Sequence, residues 1–286
     1  MSSNEKRGKP ALASEANNLV EAALKSLCEN FIESPTLFLE EKHLHNEFDR
    51  ILRKKIEDKI NITATTNDDV EFPLIMNEYA TVHHYSRDSW FEEPMDKKEK
   101  EGWGSGSLDY VWLWDEWVEG NSYCTAVNKD ADFRRGDKGE GVEHDTTRYL
   151  VVVEFKFDHY AKYMATMDKK KNDDQGKPWQ SSINSALKKM EEDLQHDRNK
   201  IVNEEPPFGH VVYFNSRIPL DKPGVKKVLK AVKESKGGEK RKRKENPPKE
   251  KGTKITLWYM QGGVETRFPS RSQKKDEFPL IVPPKK

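Results

Sequence analysis

Apolar residues recur at helical spacing from Leu19 and Val20 through Ala23, Leu24 and Leu27 to Phe31 and Ile32, which predicts a first helix capped by Ser14. Residues 1–13 are polar and read as a disordered tail. After Ser34-Pro35 a second helix is predicted over 38–60, with Leu44, Phe48, Ile51, Leu52 and Ile56 on one face. The composition then turns strand-like at 72–82, at 108–114 behind the glycine-rich GWGSGS, and at 149–157, the most apolar stretch of the chain. A third helix follows over 180–202, where Ile183, Leu187, Met190, Leu194 and Ile201 keep one face, and Glu205-Pro206-Pro207 stops it. A strand at 210–215, a basic helix at 222–234 and a strand at 254–260 complete the order α, α, β, β, β, α, β, α, β. That order belongs to the α/β class, with one central mixed sheet flanked by helices.

A chain of 286 residues with 34% hydrophobic, 35% charged and 10% aromatic residues can bury a real core and carries its excess charge on surface helices and loops. Residues 14–286 read as a single domain. Cys28 and Cys124 make neither a disulfide framework nor a metal-binding spacing, which points to a reducing intracellular compartment: cytoplasm, or nucleus in a nucleated cell. The polar N-terminus lacks a signal-peptide core, and no run approaches the roughly 18 apolar residues of a membrane span, so a soluble protein without a membrane partner is expected.

The formal net charge is zero but unevenly placed. Between Lys226 and Lys254 stand 13 Lys and Arg against 4 Asp and Glu, so the remainder of the chain is acidic. The densest part is a low-complexity loop, 236–252, containing Lys240, Arg241, Lys242, Arg243 and Lys244, a run suited to phosphate backbones without sequence preference. A nuclear address or a solvated linker would have the same composition.

The chemistry concentrates on two neighbouring strands. Asp109 opens the second strand, and Glu154 and Lys156 sit near the end of the third with one residue between them, so both point to one face. Placing Glu and Lys inside VVVEFKF is costly unless they pair with each other or bind something. Two carboxylates and an ammonium at one sheet edge suit a hard divalent cation acting on a phosphoryl group. Trp103, Trp112, Trp114 and Trp117 surround Asp109 in sequence; Trp112 reads as core, and the others are open to stacking on bases.

With GSLDYVWLW and YLVVVEFKF in these positions, the chain resembles the PD-(D/E)XK nuclease superfamily over roughly residues 38–215. The resemblance implies a restriction-endonuclease-like core of order αβββαβ and metal-dependent hydrolysis of phosphodiester bonds, DNA ahead of RNA, with Mg²⁺ or Mn²⁺. By it Asp109 and Glu154 ligate the metal, Lys156 serves the attacking water, Glu47 of EKHLHNEFDRIL is an auxiliary catalytic group, and Glu78 of NEYATV is an accessory. Asp109 follows Leu108 where the family pattern has Pro, and the 45 positions separating Asp109 from Glu154 imply a long insertion. The rival reading is a catalytically inactive nucleic-acid-binding or assembly protein that keeps the fold. Many such nucleases act as homodimers, but no heptad or apolar patch in this sequence specifies one.

Overall fold

The computed structural model describes residues 8–34, 37, 38, 40–56, 60–86, 103–127, 148–158, 178–216, 220, 222–235, 252–262 and 279–284, with backbone alone at 80–86, 103–106 and 178–182. Two helices, α1 (Lys9–Glu33) and α2 (Glu41–Ile56), precede a short hairpin of β1 (Thr63–Thr65) and β2 (Glu71–Pro73). Strands β3 (Ile75–Ser86) and β4 (Trp103–Leu113) follow, then the short helices α3 (Asp115–Glu119) and α4 (Tyr123–Ala126). The remaining elements are β5 (Tyr149–Asp158), α5 (Pro178–Glu204), β6 (Phe208–Asn215), α6 (Lys222–Glu234), β7 (Lys254–Gln261) and β8 (Leu280–Val282).

The six strands β3 to β8 form one mixed sheet in chain order. β3, β4 and β5 are antiparallel neighbours, β5, β6 and β7 run parallel, and β8 returns antiparallel on β7. Right-handed crossovers between parallel strands that advance in one direction put both connecting helices on the same face. α5 and α6 accordingly pack together on one side. The other face is covered by α1 and α2, whose Phe31 and Phe48 meet Phe155, Phe157 and Phe214 of the sheet.

The alternation of β5 feeds these two layers. Phe155 and Phe157 point toward α1 and α2, while Glu154, Lys156 and Asp158 point toward α5. On the α5 side Gly209 permits close approach: a β-carbon there would stand 2.5 Å from Ile201 Cγ2.

Several boundaries differ from expectation. α1 starts at Lys9, with Pro10 in its first turn and Ala13 buried, so the tail ends earlier than residue 13 and Ser14 lies inside the helix. The stretch expected as one strand from Phe72 divides at Leu74 into β2 and β3, because Leu74 turns away to bond Ile62 and Leu113. β4 begins at Trp103, earlier than the expected 108, so the glycine-rich segment is strand and not turn.

Candidate metal centre

β4 and β5 part at one end. Their described ladder runs from Leu113–Tyr149 to Tyr110–Val153 and stops, leaving the amides of Phe155 and Phe157 beyond it. Two carboxylates fill the gap: Asp109 Oδ2 accepts from Phe155 N at 2.7 Å, and Glu41 Oε2 accepts from Phe157 N at 3.1 Å. Glu41 sits in the first turn of α2, where a negative charge is favoured by the helix dipole, and His45 lies one turn further on the same face. One ligand atom each from Glu41, His45 and Asp109 lies within 4.8 Å of the others. His45 is buried and its Nε2 has no hydrogen-bond partner, which is costly in an apolar surrounding unless something binds it.

On the α5 side of the same fork Glu154 is wholly buried. Lys200 Nζ stands 2.5 Å from Glu154 Oε2 and donates to Ser107 O at 2.8 Å. Lys156 Nζ lies 3.5 Å from Asp197 Oδ2, and Asp197 is also wholly buried. The lysines meet these carboxylates as ion pairs.

The fields of these groups overlap. Burial pushes the Glu154 carboxyl far above the ordinary range; Lys200 opposes that, and Asp109 and Asp197 add to it. Asp197 is pushed up for the same first reason, against the pull of Lys156 and Lys200. Burial alone would depress both ammoniums, but Asp197, Asp109, Glu41 and Glu154 hold Lys156 up, and Glu154, Asp197 and Asp109 hold Lys200 up. Asp109 acts on all four partners, so Asp109, Glu154 and Lys156 are brought into one electrostatic cluster.

Glu47 is not part of it. Its carboxylate accepts from Arg50 Nε at 2.8 Å and Asn30 Nδ2 at 2.8 Å, and Arg50 above all holds it below the usual range, with Asn30 adding to this against the opposing effect of burial. The acid that α2 brings to the fork is Glu41, between one and two turns earlier. Glu78 is exposed, with φ of 51°, a left-handed backbone in mid-strand. It interrupts the β3–β4 ladder between Asn77–Tyr110 and Tyr79–Leu108, at the position opposite Asp109. Lys240, Arg241, Lys242, Arg243 and Lys244, like the side chain of Trp103, lie outside the described residues. Trp112 and Trp117 are core, and Trp114 is partly buried.

Sequence reasoning missed Glu41, His45, Asp197 and Lys200. A signal existed for Asp197: it occupies the gap between Leu194 and Ile201 in the apolar stripe of α5, where a carboxylate must be buried. For Glu41 the phase of α2 was informative, since Glu41, His45, Phe48 and Leu52 fall on one face. No protein-family model, no curated protein and no solved structure gives a significant match to this chain.

Proposed function

We propose that this centre binds a divalent cation and hydrolyses phosphodiester bonds in nucleic acid, with DNA ahead of RNA on the strength of the resemblance alone. The observation that carries the reading is the approach of ligand atoms of Glu41, His45 and Asp109 to within 4.8 Å of one another at the fork, with Glu154 and Lys156 in the field of Asp109 on the α5 side. With the short β1–β2 hairpin and α3 and α4 left aside, the order α2, β3, β4, β5, α5, β6 is the αβββαβ order that the resemblance implies. The unpartnered imidazole nitrogen of His45, beside the carboxylates of Glu41 and Asp109, is the group a cation would satisfy.

When bound, a divalent ion supplies a Lewis acid for a phosphoryl oxygen and a lowered pKa for a coordinated water. Asp109, Glu41 and His45 would hold it, and Glu154, a ligand by the resemblance, would reach it from the α5 side. Lys156 stays charged and presents its ammonium where negative charge builds up on the phosphate, or orients the attacking water. Asp197 fixes the direction of Lys156 from the opposite helix. The imidazole among the oxygen donors favours Mn²⁺ over Mg²⁺, because imidazole suits transition ions better than magnesium.

The test is a cleavage assay on single-stranded, duplex and branched DNA and on RNA, in Mn²⁺, Mg²⁺ and EDTA. Glu154→Gln and Lys156→Met are expected to lower cleavage at least about 100-fold, the scale on which charge-stabilising and proton-transfer groups contribute. Circular dichroism should be unchanged. Parent-like cutting by both variants would remove the site assignment.

A further inference from the structure

We propose that Lys200 is a built-in second cation, whose ammonium fills the place beside Glu154 where another divalent ion would bind and so limits the centre to one metal. This rests on the metal-binding reading above and concerns a residue that reading leaves without a role. Lys200 is almost wholly buried, and its ammonium bridges two hard oxygens from different strands: Glu154 Oε2 at 2.5 Å on β5 and Ser107 O at 2.8 Å on β4. A carboxylate and a backbone carbonyl are the donor types that hard cations take. Ser107 lies on β4 just before Asp109, so the ammonium sits across the same fork as the candidate ligands.

Asp197 and Asp109 act on Lys200 together with Glu154, so a positive charge already stands on the α5 side of the fork, where a second ion would have to displace it. Two-metal centres hold their ions about 3.5–4 Å apart, sharing carboxylates. The Lys200 ammonium already engages the carboxylate such a pair would need.

The full chain should be titrated with Mn²⁺ by calorimetry and by loss of the free-ion electron paramagnetic resonance signal. The parent protein is expected to bind one Mn²⁺, Lys200→Gln two, and Lys200→Arg one. Two ions in the parent, or one in folded Lys200→Gln, would overturn the role of Lys200 while leaving the metal-binding reading intact. No ion in the parent would overturn both. Should Lys200→Gln fail to fold by circular dichroism, the parent and Lys200→Arg decide the matter: one ion in each supports the role, and two in either contradicts it.

Discussion

Among single residues, Glu41 and Glu47 offer the sharpest contrast, because both are acids on α2 and one alone reaches the fork. Glu41→Gln should weaken Mn²⁺ binding about ten-fold or more, the usual range for groups that hold or orient a metal ligand, and Glu47→Gln should leave it within about two-fold. Calorimetry on the two variants checks this. His210 gives a different prediction. Trp258 Nε1 can only donate, so His210 Nδ1 accepts at 3.1 Å, and the proton on Nε2 goes to Asn17 Oδ1 at 2.9 Å. The ring is therefore neutral, and burial pushes its pKa down to about 3. Since the unfolded histidine titrates near ~6.5, its contribution to stability is complete above that pH and is lost as pH falls toward the folded value, by up to ~1.4 kcal/mol per pH unit. Urea unfolding between about pH 7 and about pH 5 should show a shallower loss in His210→Gln than in the parent; equal slopes would remove His210 as the source. Asp109, Glu154 and Lys156 could be found in the sequence because strand alternation fixes their faces. The phase of α2 sets Glu41 on the buried face and Glu47 beside it, but that Glu41 reaches Phe157 depends on where the start of α2 meets β5, which is a tertiary contact.

Among the elements, α5 ties the centre together, because Asp197 and Lys200 reach β5 only if the helix sits close to the sheet. Gly209 allows that approach. Gly209→Ala should destabilise the fold by about 1–3 kcal/mol, the usual cost of overpacking, because the added carbon meets the branched side chain of Ile201. The urea midpoint reads this, and an unchanged midpoint would mean that the helix shifts freely. Long periodic elements were legible: the helix expected at 222–234 is α6, and the strands expected at 210–215 and 254–260 lie within β6 and β7. Shorter ones were not. β1, β2 and β8 have three residues each, too few to show alternation, and α3 and α4 are single turns within the long β4–β5 connection. The left-handed Glu78 was equally hidden, since glutamate carries no sequence sign of positive φ.

At the scale of the molecule, one mixed sheet with helices on both faces places Asp109, Glu154, Lys156, Glu41 and His45 about the end of β5 where its ladder with β4 stops. Among the described residues no helix is long and apolar enough to cross a membrane. A fold that gathers Glu41, Asp109 and the unpartnered His45 nitrogen in one place should gain stability from an ion that binds them. At a metal concentration 100 times the dissociation constant the gain is about 2.7 kcal/mol, which raises the melting temperature by roughly 5 °C or more in a chain of this size. EDTA should reverse that rise, and Asp109→Asn should abolish it. The central claim is tested most directly by incubating the protein with labelled duplex and single-stranded DNA in Mn²⁺, beside EDTA and the Lys156→Met variant. Cleavage that requires the metal and disappears with Lys156 is the predicted result; binding without cleavage in Mn²⁺, or cutting that survives both EDTA and the substitution, would contradict it.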